Sequence, residues 1–311
     1  MLLAGISFRD LEYVVAVAEH QHFGRAAQAC TVSQPTLSGQ IRKLEDYLQV
    51  EIFERGSRQV RPTRRGAEIV AQARTVLAEG RRLCALAART DAPLTGALRL
   101  GAIATLGPYL FPHLLRPLTA AFPQLRLVIS EGLTRELTAL LLAGRIDALL
   151  AATPVAGAGI AQIPLFFEPF VVTLPADHAL CDTDTLTPGH LAGDDLILLQ
   201  DGHCLRDQAL EICPDPARTA AAAELQASSI ETLRHMIASG IGYSLLPTLS
   251  VTDDPRFAAL LTYRRFAADP PGRTIALFYR DGSERHADMR LLAAQIRKSL
   301  PGSVQALDGG G

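Results

Sequence analysis

Ser33-Gln34-Pro35-Thr36-Leu37-Ser38-Gly39-Gln40-Ile41-Arg42-Lys43-Leu44-Glu45 is the stretch from which the fold can be read. Ser33 is a good helix N-cap, and Pro35 falls in the first turn, where its missing N–H costs little. Leu37, Ile41, Leu44 and Leu48 recur at intervals of four, three and four, the buried stripe of a helix. The outer face carries Gln34, Thr36, Ser38, Arg42 and Lys43. Such a face suits the major groove of double-stranded DNA, where Gln bonds adenine through two contacts and Arg or Lys bonds guanine. A three-helix packing module with a solvated charged face carries the same stripe.

Upstream, residues 7–32 read as two helices. Ser7 and Asp10 have capping-box spacing, and Leu11, Val14, Val15 and Ala18 follow a helical period. His22-Phe23-Gly24 is expected to break the first helix, residues 25–30 to form a short second one, and Thr31-Val32 to turn. Downstream, residues 50–62 read as a small hairpin, with 52–55 and 59–61 flanking Gly56-Ser57. Its Arg55, Arg58 and Arg61 are placed to meet phosphates, which adds affinity without sequence information. Pro62-Thr63 then starts a helix to about residue 89, with Thr63 as cap. Ala73, Val76, Gly80, Leu83 and Ala87 are spaced as the a/d seam of a helix that pairs with another. An amphipathic helix lying on its own domain gives the same pattern.

The chain has 311 residues, 48% of them apolar and 20% charged, without Trp and without a low-complexity tract. That is enough for two or three globular domains. The run 137–152 is broken by Arg145 and Asp147, short of the ~20 apolar residues a spanning helix needs. With no signal-like N-terminus, the expectation is a cytoplasmic protein away from membranes. Net charge −2 hides an asymmetry: 13 Arg or Lys against nine Asp or Glu over residues 1–90, and 17 against 23 thereafter. The basic end fits an anionic partner.

Pro93 and Gly96 mark a linker at 91–96, after which strands and helices alternate. Strands are expected at 97–103, 125–130, 146–151, 171–174, 196–199, 243–246 and 274–279. Helices are expected at 109–122, 134–143, 229–238 and 286–300. This alternation argues for a parallel sheet covered by helices.

Cys204 follows His203, with Arg206 two residues on and Cys213 nine residues on. Asp201 is expected to cap a helix from Gly202, leaving Cys204 in the first turn. There N–H groups and the helix dipole favour an anion, and His203 and Arg206 add hydrogen bonds or positive charge. Leu205, Ala209, Leu210 and Ile212 would bury one face, and Pro214 and Pro216 would end the helix. Nine helical residues advance ~13.5 Å and place the two side chains on opposite faces. A disulfide needs Cα atoms roughly 4.4–6.8 Å apart. A helical reduced segment must therefore unwind before the thiols can join. Two thiols of this kind are also at home as packing residues. A zinc site from His203, Cys204, Cys213 and His190 lacks the usual Cys-x-x-Cys pairing, and neither a metal nor a cofactor is expected. Thr105 and Thr134 lie at helix starts after strands, where a small polar molecule can sit, though a threonine there also serves as a cap.

Ala26-Ala27, Ser33 to Ser38, Ile41-Arg42-Lys43-Leu44-Glu45, Phe53-Glu54-Arg55 and Thr63-Arg64-Arg65-Gly66 closely resemble the winged helix of LysR-type transcriptional regulators. The match covers residues 8–89. The stretch from Asp201 to Ala209 with Cys213, Thr105 to Leu110, Glu231 to Arg234, and Arg273-Thr274-Ile275 resembles the peroxide-sensing members of that family. Gly24 and Glu224 depart from their pattern; a histidine is expected where Glu224 stands.

The resemblance implies an α/β protein with an N-terminal all-α winged helix-turn-helix domain. It implies an effector domain of two α/β subdomains, like a periplasmic binding protein. The expected divisions are 1–63 for DNA binding, 64–93 for a dimerising helix, 94–305 for redox sensing and 306–311 for a disordered tail. Subdomain I is expected at about 94–167 and 272–305, subdomain II at about 168–271. The resemblance further implies a peroxidatic Cys204, a resolving Cys213 and their disulfide. Around them it implies a hydrogen peroxide pocket of Thr105, Thr134, His203, Arg206, Asp207 and Arg273. It implies a dimer and tetramer on promoter DNA, recruitment of RNA polymerase, and resetting by cellular thiol reductants. A LysR-type regulator of a small organic ligand and a thiol peroxidase are the competing readings.

Overall fold

The computed structural model describes residues 5–54, 60–87, 93–155, 157–191, 195–213, 226–267 and 269–307. Arg55, Arg58, Pro214, Pro216, Glu224 and the last four residues lie outside them. The chain divides into compact units at 1–91 and 92–311. No helix among the described residues is long and apolar enough to cross a membrane.

The first unit opens with α1 (Phe8–His20), α2 (Phe23–Ala29) and α3 (Gln34–Leu48). The Ser7–Asp10 capping box is formed in both directions. α2 begins at Phe23, earlier than the sequence suggests, because the His22 imidazole caps it. His22 Nδ1 accepts from the N–H groups of Gly24 and Arg25 at 3.0 and 3.4 Å. A Cβ on Gly24 would stand 3.0 Å from the His22 ring, so the glycine leaves room for the cap. Ser33 caps α3 through the Thr36 N–H. Leu37, Ile41 and Leu44 join Val14, Val17, Ala26 and Ala27 in one core, with Leu48 half-buried beside it.

After α3 the described residues pair through a bridge, Phe53 to Pro62. Pro62 thus closes the wing instead of opening the next helix. Glu45, buried on α3, anchors the near side: its Oε1 accepts from the N–H groups of Ile52 and Phe53 at 2.8 and 3.2 Å. Thr63 Oγ1 caps α4 (Arg64–Ala87) by accepting from Gly66 N–H at 2.9 Å. A Cβ on Gly66 would lie 1.9 Å from the Ile52 carbonyl oxygen, so only glycine fits where α4 crosses the wing. Part of α4 lies on its own domain. Ala73 and Leu77 pack on Val15 of α1, whereas Val76 and Leu83 are 38% and 68% exposed.

The second unit contains β1 (Gly96–Ile103), α5 (Gly107–Ala121), β2 (Leu125–Gly132), α6 (Thr134–Leu142), β3 (Ala148–Ala152) and the long β4 (Ile160–Pro175). It continues with β5 (Leu198–Leu199), α7 (Cys204–Ile212), β6 (Gln226–Ala227), α8 (Ile230–Ala238) and β7 (Ser244–Pro247). The unit ends with β8 (Leu261–Arg265), β9 (Gly272–Arg280), α9 (His286–Lys298) and β10 (Gln305–Ala306). The main sheet runs β10-β4-β9-β3-β1-β2. β1 pairs parallel with β2 and β3, but β9 returns antiparallel to both β3 and β4. The sheet is therefore mixed, not parallel throughout.

β4 belongs to two lobes. Residues 160–169 pair with β9, and residues 170–175 pair with β7 and β8. Its Leu165 and Phe166 lie in a core built from β1, β3, β9, α5, α6 and α9. Its Phe170 and Val171 lie in a second core with α8 and Leu205, and Val172 and Leu174 in a third with Ala209 and Cys213. Local sequence signals mark only the far half of this strand; the near half is interrupted by Pro164 and Pro169.

Candidate functional site

Ser33, Gln34, Pro35, Thr36, Arg42 and Lys43 are exposed on α3, Ser38 is half-buried among them, and Arg61 is exposed on the wing. Gln34, Ser38 and Arg42 recur every four residues along one face, over ~12 Å at 1.5 Å per residue. Leu37, Ile41 and Leu44 hold that face outward by filling the core behind it. The tip between Glu54 and Val60, with Arg55 and Arg58, lies outside the described residues.

The cysteine segment is helical, two residues shorter than expected at its start. Gly202 turns the chain at φ +95°, His203 occupies the N-cap and Cys204 is the first residue of α7. Asp201 does not cap: its Oδ1 accepts from Arg206 Nε at 2.9 Å. Arg206 is buried and also donates to the Leu199 carbonyl at 3.1 Å, so it braces the loop with its charge met by Asp201. Burial pushes the His203 imidazole below its ordinary pKa against a hydrogen bond to the Ser228 backbone. Of the two expected contributions, hydrogen bonding or positive charge, this environment favours hydrogen bonding by the ring. Asp207 is exposed in the first turn.

Cys204 is half-buried against the first-lobe core, at the N-terminal end of α7. Cys213 closes α7 at its C-cap and is buried in the third core with Ala209, Leu186 and Leu245. Leu205 and Ala209 are buried; Leu210 and Ile212 are only half-buried. The two thiols are not bonded to each other. One helix thus holds them at opposite ends and against different cores. His190 accepts from Thr187 N–H at 3.1 Å, and no metal-binding group of three or more His, Cys, Asp or Glu occurs among the described residues.

Leu133, just before α6, lies 3.1 Å from where a Gly202 Cβ would stand, so Thr134, the first residue of α6, starts beside the cysteine loop. Thr105 is buried ahead of α5 and takes hydrogen bonds from Arg273 Nη1 and Nη2, at its Oγ1 and carbonyl, both 3.0 Å. The sequence reading missed Glu168, the buried partner of Arg273 at 2.8 Å, whose other oxygen accepts from Leu249 N–H at 3.0 Å. It also missed Gln208, one turn beyond Cys204, whose Oε1 is buried without a hydrogen-bond partner among the described residues. Glu168 stands in no motif that local spacing could single out, whereas Gln208 lies within the Asp201–Ala209 stretch.

Residues 91–301 match the family model of the LysR substrate binding domain, and residues 8–67 that of bacterial regulatory helix-turn-helix proteins of the lysR family. The DNA-binding transcriptional dual regulator OxyR of Escherichia coli (strain K12) is 42% identical over 297 residues, spanning 96% of this chain and 97% of that protein. A full-length OxyR cysteine-to-aspartate variant from Pseudomonas aeruginosa superposes with TM-score 0.74 at 42% identity, covering 94% of this chain and 97% of that one. A hydrogen-peroxide-bound OxyR cysteine-to-serine variant from Corynebacterium glutamicum gives TM-score 0.65 at 32% identity, covering 94% and 92%. With both of its units matched, at the helix-turn-helix and across the two lobes that hold the cysteine helix, this chain belongs to the LysR family of bacterial regulatory proteins.

Proposed function

We propose that this chain is a hydrogen-peroxide-sensing, DNA-binding transcriptional regulator switched by a Cys204–Cys213 disulfide. The observation that carries the reading is the placement of the thiols at the two ends of α7, facing different cores. The Cys204 thiolate attacks one peroxide oxygen; the O–O bond breaks and hydroxide leaves, giving a sulfenic acid. The Cys213 thiol then attacks that sulfur, forming the disulfide and releasing water. Two thiols lose two electrons, and one peroxide becomes two waters. Nine helical residues hold the Cα atoms ~13.5 Å apart, so closing the bond requires α7 to unwind.

Gln208 Oε1 supplies an unsatisfied acceptor for the peroxide O–H one turn from Cys204. His203 and Asp207 at the start of α7, Thr134 at the start of α6, and the hydrogen-bonded Thr105 and Arg273 are the other residues assigned to the pocket. Gln34, Ser38, Arg42 and Lys43 read base edges in promoter DNA, and Arg61 with its wing neighbours meets phosphates. Exposed Val76 and Leu83 give α4 a face for a second copy, and a pair of dimers makes the tetramer. The oxidised tetramer recruits RNA polymerase, and cellular thiol reductants reopen the disulfide. The relatives' names describe regulators, which favours a sensor over a thiol peroxidase. Promoter footprinting of reduced and peroxide-treated protein tests the reading: the footprint should shift on oxidation, and Cys204→Ser should abolish the shift.

One cavity keeps the small-ligand reading in view. It measures about 410 Å³ and is lined by His113, Val171, Thr248, Tyr263 and Arg265, among others. A regulator working through it would retain full signalling as Cys204→Ser.

A further inference from the structure

Tyr109 lies on α5, whose Leu110, Phe111, Leu114 and Leu118 are buried in the first-lobe core. Its own ring packs on the second core, and its hydroxyl donates to Glu231 Oε1 at 2.9 Å across 122 residues of sequence. Glu231 is held for that role. Arg234 Nη1 reaches both of its carboxylate oxygens at 2.6 Å, while Arg234 Nη2 donates to the Ser250 carbonyl. Burial works against the Glu231 charge, but the hydrogen bonds from Arg234 and Tyr109 outweigh it and hold the carboxyl below its usual range. Burial, with the Glu231 charge behind it, pushes the Tyr109 hydroxyl well above its usual range, so it stays a donor. The acceptor is charged and the donor protonated throughout the physiological range, which makes this a charge-assisted bond.

Contacts lead from this bond to the cysteine helix. His203, the N-cap of α7, hydrogen-bonds the backbone of Ser228. The next residue, Ser229, is the N-cap of α8 and accepts from Thr232 N–H at 3.1 Å. Glu231 sits in the first turn that this cap fixes. Leu205, beside Cys204, shares its core with Ile230, Leu233 and the Tyr109 ring. His203 and Leu205 are thus the contacts through which unwinding of α7 would reach α8.

We propose that the Tyr109–Glu231 hydrogen bond is a strap that holds the two lobes in their reduced arrangement, and that unwinding of α7 releases it. The proposal rests on the disulfide switch described above. The strap favours the reduced arrangement in proportion to its strength; loss of a hydrogen bond to a charged group shifts such an equilibrium by about tenfold or more. Tyr109→Phe removes the hydroxyl and keeps the ring.

The test compares full-length wild type and Tyr109→Phe, each reduced and peroxide-treated, by promoter footprinting, with thiol state read by differential alkylation and mass spectrometry. The strap predicts that reduced Tyr109→Phe, its cysteines still thiols, gives the footprint of oxidised wild type on about tenfold more of the DNA than reduced wild type does. A reduced Tyr109→Phe footprint identical to reduced wild type, with wild type still shifting on oxidation, overturns the strap and leaves the switch standing. A wild-type footprint unmoved by disulfide formation overturns the switch, and the strap with it. Should Tyr109→Phe fail to fold, hydrogen exchange on wild type decides: oxidation should deprotect residues 107–111 and 229–235, and unchanged protection overturns the strap.

Discussion

Arg273 and Glu168 form an ion pair in which both side chains are fully buried, 2.8 Å apart, where β4 passes from one lobe toward the other. Every polar end has a role: Arg273 also holds Thr105, and Glu168 also holds the Leu249 N–H. Removing one partner strands a buried charge, which typically costs about 3–5 kcal/mol. Arg273→Ala should lose about that much in urea unfolding. Adding Glu168→Gln, which removes the stranded charge, should restore part of it. No recovery in the double variant would mean that lost packing, not charge, dominates.

The two thiols should be chemically unequal. In peroxide-treated Cys213→Ser, a dimedone adduct should appear on Cys204 in the mass spectrum; in Cys204→Ser, Cys213 should stay unmodified under the same exposure. Buried as it is, Cys213 is shielded from peroxide until α7 opens. An adduct on Cys213 alone would reverse the assignment.

Glu45→Ala should weaken DNA binding while leaving α3 folded. The change frees the Ile52 and Phe53 N–H groups that hold the root of the wing. Two buried donors left without acceptors cost about 1–3 kcal/mol each. The expected readout is roughly tenfold lower affinity by gel shift, with helical circular dichroism nearly unchanged. Affinity equal to wild type would show that the wing does not depend on this anchor.

Acidification should loosen the cysteine segment through His203. Its burial-lowered pKa means the unfolded chain takes up a proton near the ordinary value of 6.5, before the folded chain does. Stability therefore falls as pH drops through 6.5 toward the folded pKa and is regained as pH rises. Hydrogen exchange at residues 203–213 between pH 7.5 and 5.5 should accelerate beyond the intrinsic pH effect. His203→Gln should flatten that response; an equal response in the variant would assign it to another group.

Much of the first unit was legible because its signals are local. Ser7, Ser33 and Thr63 announce helix starts through side chains that bond the next turn, and the apolar spacing of α3 shows its buried face. The His22 cap escaped notice because an imidazole is not a usual N-cap. In the second unit, β1 to β3 with their helices were readable as a repeating local pattern. The antiparallel return of β9, the full length of β4 and the Glu168–Arg273 pair were not, since each depends on residues about a hundred positions apart. Asp201 misled for a related reason: the spacing suited a cap, but the buried Arg206 guanidinium competed for its carboxylate and won.

β4 gives the sensing half of the molecule an axle. Because one continuous strand is hydrogen-bonded into both lobes, its two ladders meet at Pro169 and Phe170, and the lobes can turn about that junction with both ladders intact. A rearrangement at α7 would reach that junction through the cores that Leu205 and Ala209 share with Phe170 and Val172.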